Sequence, residues 1–593
     1  GVMIVGLWRG WGWLRAQGWI LSLVAIGMTV ITLNYGHLLM KEAPVHPIGN
    51  FSLGAFAICI SMVSALACLV ASNRKRFHTA EAGLFLVLVL LGNFLALWAV
   101  SSEVITFVRD SENARNLVLV AIWCTYGLGL LAVGIRKNWD WLRMAGYLMA
   151  VVATGATLAL LNHGEAMVRS GTYMPVLNPS LGGFAICVVG LYLYAYAVAK
   201  NRERLHDSEE IVCIVTLAAA SVVTLWGLSE EIVAFLDGNL QNLMLVMLWL
   251  GYGSLLMVLG VARKALLPRI GACALMVLGV VATGVMLNHW WAGIDPAHDW
   301  PILNCSFGAF AACVFASYLF AYLTARQGEG AGRFNQVVCG VALALANVLT
   351  VWAVSAEVVT FLADVGNLRN LVLVVVWSGY GLLLTVAGAW KGIPVARFSG
   401  YALVAGAIGV TTTMLNHGQA AVQRSNSDAV INPSFGGFCV CVIALYVVAY
   451  LVSKSRDKLL HGESLVSPFL ILVANGLSLF ALSSEVVTYA PAGSGQSMGL
   501  TVLWATYGLA VMVVGIMGRW PWVRLGGLAL VSVAVLKLFI WDTLTLDDAY
   551  RVAAYISLGV LLLAGGFVYH RYADVIKGFI MDRPEKGVGS ARK

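Results

Sequence analysis

The chain has 593 residues, of which 60% are hydrophobic and only 11% are charged, and its mean hydropathy is +0.85. This composition excludes an ordinary soluble protein and indicates an integral membrane protein surrounded by membrane lipids. The net charge of +8 does not indicate nucleic-acid binding, because the basic residues lie in short loops between apolar runs, without a basic face interleaved with aromatic residues.

The first residues of the chain match segments that recur later. Trp13-Leu14-Arg15 returns as Trp141-Leu142-Arg143, and the arginine continues as Arg269, Arg397 and Arg524. We therefore expect residues 1–17 to be the tail of a preceding repeat. They do not resemble a signal peptide, because they lack a small-residue cleavage site and recur internally.

An apolar run interrupted by one carboxylate occurs four times. The aligned glutamates are Glu103, Glu231, Glu357 and Glu485, which lie 128, 126 and 128 residues apart. A fixed period of this length predicts one folding unit copied in tandem. The predicted repeats are residues 18–145, 146–270, 271–399 and 400–526, followed by a C-terminal two-helix segment with a tail at 527–593.

Each repeat is predicted to contain four membrane helices, at 145–162, 181–199, 210–235 and 240–262 in the second copy. Asn178-Pro179-Ser180 and Asn432-Pro433-Ser434 are typical of helix starts. Two further apolar runs follow at 525–541 and 552–569. The predicted fold class is an all-α polytopic membrane protein of tandem four-helix repeats with 18 to 19 spans, in a solenoid-like or curved arrangement.

Basic residues are distributed unequally between the two sides. The loops after the second and fourth helices of each repeat and the corresponding N-terminal segment carry 23 Lys and Arg, whereas the opposite loops of the four repeats carry six, Lys41, Arg109, Arg115, Arg169, Arg369 and Arg424. The first set is cytoplasmic by the positive-inside rule. This predicts a multi-pass protein of the inner or plasma membrane with a cytoplasmic C-terminus.

This topology places the recurring polar residues on the extracytoplasmic side. Histidines end the first helix, asparagines begin the second, the glutamates lie near the end of the third, and an arginine or glutamine begins the fourth. The candidate ligand-binding residues are Glu103, Glu231, Glu357, Glu485, His163, His289, His417, Arg115, Arg369 and, in the seventeenth span, Lys537. An intramembrane charge costs about 2.5–3.5 kcal/mol at the helix centre, so these glutamates need hydrogen-bonding or charged partners, or a functional role. The favoured interpretation is that they connect the helices of their own repeat, and the alternative is a ligand site.

Partner choice is predicted to differ between repeats. Glu103 with Arg115, and Glu357 with Arg369, are expected to form ion pairs. Gln241 and Gln496 replace the arginine elsewhere, so Glu231 and Glu485 are expected to be neutral, hydrogen-bonded by His163 and His417, or open to a wet cavity. Any functional site would therefore use Glu231 or Glu485 first.

Several other residues have two interpretations. A Trp-x-x-Tyr pattern on each fourth helix could line a groove, although packing between repeats is favoured. The histidines lack the spacing of metal or haem ligands and the 11 Cys lie mostly in apolar runs, so no metal and no cofactor is predicted. Lys537 is five residues from Asp542, only loosely on one helical face, and a functional role and a structural pair with the next span are both open.

The segment from Arg524 through Lys537, Asp542 and Tyr550-Arg551, together with the repeated Trp-x-x-Ser-x-Glu and Trp-x-x-Tyr-Gly elements, resembles an uncharacterised family of bacterial multi-pass membrane proteins, catalogued as a domain of unknown function (DUF2339-like). The resemblance implies no activity and no catalytic residues.

Three functions remain. The first is binding or translocation of an extracytoplasmic, lipid-linked or glycan ligand through an outer-leaflet polar ring. The second is a structural scaffold subunit of a membrane or envelope complex with envelope protein partners. The third is a membrane transferase acting on lipid-linked sugars. The outer loops offer only isolated acidic pairs such as Asp295 with Asp299, so enzyme activity is the least favoured.

Overall fold

The computed structural model describes residues 1–34, 46–73, 79–108, 111–169, 171–206, 208–326, 332–455, 457, 459–460, 462–518, 520–542, 544 and 547–571, with only the backbone at 79–83, 521–522 and 568–569. Within these residues the chain forms nineteen α-helices and no β-strand. Eighteen of its helical segments are long and apolar enough to cross a membrane. This confirms the predicted all-α, multi-pass fold class and the number of spans.

The chain divides into two compact units, Gly1–Leu248 and Trp249–Lys593. The helices of the N-terminal unit are α1 (Val2–Arg9), α2 (Gly12–Thr32), α3 (Phe51–Ser72), α4 (Thr79–Phe107), α5 (Glu112–Lys137), α6 (Asp140–Leu160), α7 (Pro179–Lys200) and α8 (Ser208–Phe235). Helix α9 (Gly238–Ala262) contains the division between the units.

The helices of the C-terminal unit are α10 (Leu266–Met286), α11 (Cys305–Ala325), α12 (Arg333–Phe361), α13 (Gly366–Lys391), α14 (Pro394–Met414), α15 (Pro433–Lys454), α16 (Val466–Tyr489), α17 (Ser494–Met517), α18 (Pro521–Lys537) and α19 (Asp548–Arg571). A π-helical turn, Leu538–Asp542, continues α18. In both units, consecutive helices form hairpins, such as α5 with α6 and α13 with α14.

The second helix of each repeat begins where the sequence predicts. Asn178 and Asn432 are N-caps whose side-chain oxygens accept hydrogen bonds from the backbone N–H three residues later, at 2.8 and 2.9 Å. Asn50 and Asn304 do the same without a following proline. The cap satisfies one of the backbone donors left free in the first turn.

The recurring arginines lie farther inside the helices than the sequence suggested. Helix α6 begins at Asp140, before the predicted residue 145, so Arg143 belongs to its first turn. A Cβ added to Gly134 would lie 2.7 Å from Arg143 Cγ, and one added to Gly388 would lie 2.6 Å from Arg397 Cγ. Glycine therefore allows the preceding helix to approach the arginine closely.

Candidate functional site

Glu231, near the end of α8, connects three other segments of its repeat. Its carboxylate accepts hydrogen bonds from the backbone N–H of Val176 at 2.6 Å and from Asn178 Nδ2 at 3.0 and 3.1 Å. His163 Nε2, just after α6, lies 2.7 Å from the same carboxylate. We call this arrangement of glutamate, loop N–H, capping asparagine and histidine a glutamate junction. Of the three alternatives expected for Glu231, the structure shows the hydrogen bond with His163.

The same junction recurs twice in the C-terminal unit. Glu357 accepts from Ile302 N–H at 3.0 Å and Asn304 Nδ2 at 2.7 Å, and lies 2.8 Å from His289 Nε2. Glu485 has the corresponding partners Val430 N–H at 2.9 Å, Asn432 Nδ2 at 2.8 Å and His417 Nε2 at 2.8 Å. The hydrogen bond of His417 with Glu485, one of the three alternatives expected for this carboxylate, is thus present, and Glu357 has the same kind of partners.

The first repeat keeps part of this junction. Glu103 accepts from Ile48 N–H at 2.6 Å and from Asn50 Nδ2 at 3.1 Å, and it has a further interaction. The position that aligns with the histidines is Tyr35, which lies outside the described residues. All four glutamates therefore hold the start of the second helix to the end of the third.

The loop residue that donates its N–H to each glutamate has a left-handed backbone. The φ angles are 66° at Ile48, 70° at Val176, 68° at Ile302 and 66° at Val430. A left-handed backbone conformation is a genuine outlier for β-branched residues, so an interaction with the surrounding structure must stabilise it. These turns share a short motif that was not used to predict them, Pro-Ile/Val-x-Asn in the first three copies and Ala-Val-Ile-Asn in the fourth.

A serine completes a chain of polar groups in three junctions. Ser180, Ser306 and Ser434 place Oγ at 3.0, 2.9 and 2.9 Å from Nδ1 of the junction histidine. Serine, histidine and carboxylate in series resemble the relay of a hydrolase. All three serines are fully buried in the second helix, however, so a substrate cannot reach them in this conformation. Their position favours a structural role.

The junction of the second repeat has an additional carboxylate. Glu230 lies 3.0 Å from His163 Nδ1 and accepts a hydrogen bond from Trp226 Nε1 at 2.6 Å. Burial lowers the pKa of His163, but hydrogen bonds and charge from Glu230 and Glu231 outweigh burial, so the pKa is raised above its ordinary value.

The predicted ion pairs with Arg115 and Arg369 are wrong. Arg115 binds Glu112, one turn away in α5, and Arg369 donates to the side chain of its neighbour Asn370 at 3.4 Å. Within the described ranges, neither arginine lies within ion-pair distance of the expected glutamate. The glutamates instead use neutral donors and histidine, because the loop preceding the second helix lies directly over them.

In the first, third and fourth repeats, the repeated Trp and Tyr residues contact the third helix of their own repeat. Trp123, Trp377 and Trp504 donate to serines at 3.0, 2.8 and 3.0 Å, and Tyr126, Tyr380 and Tyr507 donate to Asn93, Asn347 and Asn475 at 2.6, 2.9 and 3.0 Å. The polar tips of these aromatic residues are therefore used in helix packing. The hydrogen bonds lie within a repeat, whereas the sequence favoured packing between repeats.

The opposite ends of the helices contain a second recurring contact, which was not predicted from the sequence. Arg143 and Glu209 form a buried pair at 2.8 Å, joined by Tyr147 at 2.6 Å. Arg397 and Glu463 repeat it at 2.8 Å. Arg269 donates to Asn335 in the corresponding place. In each case the partner follows the arginine by 66 residues, a spacing visible in the sequence.

Lys537 and Asp542 form an ion pair at 2.7 Å. Five residues separate them, and the π-helical turn Leu538–Asp542 brings residues at this spacing onto one face. Asp542 is fully buried, and Ser497 and Thr501 of α17 also contact it. The structure thus joins two residues whose relationship the sequence left open.

No group of three or more His, Cys, Asp or Glu side chains in the described part of the chain is arranged to hold a metal ion. In the loop after α10, Asp295 accepts a hydrogen bond from Ala297 N–H and contacts His298, and these interactions lower the pKa of Asp295. Asp299 accepts from Asp295 N–H. This acidic pair therefore organises its own loop.

Residues 281–572 match the model of a protein family described as "Predicted membrane protein (DUF2339)". The match confirms, over these residues, the family resemblance predicted from the sequence. The matched range includes two complete glutamate junctions and the Lys537–Asp542 pair. Comparisons with curated proteins and with solved structures found no match.

Proposed function

We propose that this membrane protein of many spans is a structural scaffold subunit whose outer loops contact an envelope protein partner. The observation that carries this proposal is the internal closure of the glutamate junctions. Glu231, Glu357 and Glu485 each accept hydrogen bonds from a backbone N–H and an asparagine and contact a histidine of their own repeat. Such partners offset the cost of placing a carboxylate at the edge of a membrane and connect the helices.

The loops beside these junctions support a contact role. The residue after each left-handed position extends outward: Leu177, Leu303 and Ile431 are 76%, 82% and 80% exposed. The left-handed residues Val176, Ile302 and Val430 are also exposed. Recurring exposed apolar side chains next to a rigid polar junction are suited to binding another protein or the membrane interface. We assign them to a protein partner because the adjoining junction fixes their direction.

Ligand translocation was the first function considered from the sequence. The polar ring no longer supports it, since the ring residues bind other groups of the protein. One observation still favours it, the intramembrane cluster around Lys537. The transferase function has less support, because Asp295 and Asp299 bind within their own loop.

Photo-crosslinking in intact cells tests the scaffold proposal. A benzophenone amino acid placed at Leu303 or Ile431 is expected to yield a discrete, saturable protein adduct. The matched control is Leu383, which is also exposed but lies within the membrane-spanning helix α13, and it should yield lipid adducts only. Lipid adducts alone at Leu303 and Ile431 would contradict the proposal, and a glycan adduct there would favour ligand binding.

A further inference from the structure

The Lys537 ammonium lies among four oxygen atoms at the end of α18. Nζ is 3.0 Å from Ser497 O, 3.1 Å from Ser497 Oγ, 2.8 Å from Thr501 Oγ1 and 2.7 Å from Asp542 Oδ1. Three of these oxygens belong to Ser497 and Thr501 in the first turns of α17, and the fourth belongs to Asp542 in the π-helical turn. We call these four oxygens the Lys537 cage.

The hydrogen bonds within the cage direct its lone pairs toward one point. Ser497 Oγ donates to Asp542 Oδ1 at 2.7 Å, and Thr501 Oγ1 donates to Asp542 Oδ2. Because each hydroxyl uses its single proton on the carboxylate, it presents lone pairs to the ammonium. Asp542 is fully buried and Thr501 is 1% exposed, so the cage lies in the protein interior.

Carboxylate, hydroxyl and backbone carbonyl oxygens are the ligands that hard cations use. A potassium ion in a selectivity filter likewise replaces its water shell with such oxygens. An ammonium group is close to potassium in size and in its distances to oxygen. The cage therefore has the chemistry of a monovalent-cation site with a lysine side chain as its present occupant.

The backbone at the cage also differs from that of the rest of the helix. Leu538–Asp542 is the π-helical segment among the described residues, and it breaks the regular hydrogen-bond pattern beside the charged pair. π-Helical turns occur frequently at functional sites, and intramembrane ionisable residues mark ion pathways. Ser497 replaces an asparagine of the other repeats, and Thr501 replaces Val120, Val246 and Val374, so these hydroxyl groups are specific to the fourth repeat.

We propose that the Lys537 cage is a binding site for a potassium-sized monovalent cation, for which the Lys537 ammonium competes as a tethered occupant. This function goes beyond scaffolding, since it gives the C-terminal unit a specific ligand. A cation enters when the lysine side chain leaves, and Asp542 supplies the balancing charge in either state.

The buried pair of Arg397 and Glu463 is the matched control. It is also a buried pair at 2.8 Å, but its partners are Tyr401 and Gly388 O, and the Cγ of Arg397 packs closely against Gly388. The two Glu463 oxygens pair with different nitrogens of the planar guanidinium, Nε at 2.8 Å and Nη2 at 2.9 Å, so they are spread along its edge and are not directed at one point. The stability lost when the Arg397 side chain is removed should therefore not be restored by a metal ion.

The test compares thermal unfolding of purified K537A in KCl, NaCl and choline chloride at one ionic strength. The proposal predicts a saturable rise of the midpoint in KCl over choline chloride, a smaller rise in NaCl, and no KCl-specific rise in K537A/D542N or in R397A. Equal midpoints in KCl and choline chloride would contradict the proposed binding site. A larger rise in NaCl than in KCl would contradict the proposed preference for a potassium-sized ion. If K537A does not fold, K537Q, which is neutral and one atom shorter than lysine, is measured in the same salts with the same criteria.

Discussion

The backbone N–H of Val176 donates to the Glu231 carboxylate over 2.6 Å although Val176 has a φ of 70°. Left-handed backbone costs about 1–2 kcal/mol for an L-residue, whereas a hydrogen bond to a charged group contributes about 1.5–3 kcal/mol. The carboxylate can therefore hold the strained turn. Because the same relationship recurs in the other repeats, the glutamates determine both the helix connections and the direction of the exposed loop residues.

Replacing the strained residue by glycine tests this balance. Ile302→Gly removes the left-handed strain, which offsets the entropy cost of glycine of about 0.5–1 kcal/mol, so its stability should equal or exceed that of the wild type. Leu303→Gly, at the next position, which is also exposed, has only the entropy cost and should be less stable. Thermal unfolding measures both. A larger loss for Ile302→Gly than for Leu303→Gly would show that the turn is not strained.

Glutamate-to-glutamine substitutions test the junctions themselves. In Glu357→Gln the new amide N–H₂ faces the donors Asn304 Nδ2 or Ile302 N–H, so we expect a loss of about 1–3 kcal/mol. Glu485→Gln should cost a similar amount because its partners are equivalent. Exposed Glu165 provides the control, Glu165→Gln, which should behave as the wild type. Wild-type stability of both junction variants would contradict the assignment.

The histidine of the second repeat should give the chain a pH-dependent stability. The pKa of His163 is raised, because its hydrogen bonds with Glu230 and Glu231 outweigh burial, which acts in the opposite direction. The charged imidazole then stabilises the folded chain fully below the unfolded pKa of about 6.5, and this stabilisation is lost as the pH rises through the folded pKa. Removing Glu230 should weaken the effect.

The measurement is the unfolding midpoint of the wild type and of Glu230→Ala across neutral and mildly alkaline pH. Ala356 and Ser484 occupy the position of Glu230 in the third and fourth repeats, so alanine is compatible with a junction. The wild type should lose more stability on alkalinisation than Glu230→Ala. Identical pH profiles would exclude a role for Glu230 in holding the charge of His163.

The sequence predicted the helices and their caps because hydrophobic length and Asn-Pro-Ser starts are local signals. It offered His163 and His417 as partners of glutamate in one of three alternatives, since these histidines and the glutamates lie at the same ends of predicted helices. It paired Glu357 with Arg369 wrongly, because the loop carrying Ile302 N–H reaches the carboxylate first. Lys537 and Asp542 were undecided, since a regular helix separates residues five apart and only the π-helical turn aligns them.

The arginine pairs predict an asymmetric response to substitution. Arg397→Met leaves Glu463 buried without its cation and should cost about 3–5 kcal/mol. Glu463→Asn should cost less, because Arg269 already binds Asn335 in the third repeat. The double variant Arg397→Met/Glu463→Met should recover most of the loss, since an apolar pair leaves no buried charge. Chemical denaturation of the three variants tests this order, and equal losses for both single variants would contradict it.

The topology can be tested with residues on opposite loops. The 23 to six distribution of basic residues predicts that the glutamate junctions face outward and the arginine pairs face the cytoplasm. His298 and Arg202 have exposed side chains, at 84% and 73%, and lie on the two sides. A cysteine in place of His298 should react with an impermeant maleimide in intact cells, whereas one in place of Arg202 should react only after permeabilisation.

The chain without an added cysteine gives the background from its own eleven cysteines. Labelling in the opposite pattern would invert the orientation and move the proposed partner contact to the cytoplasm.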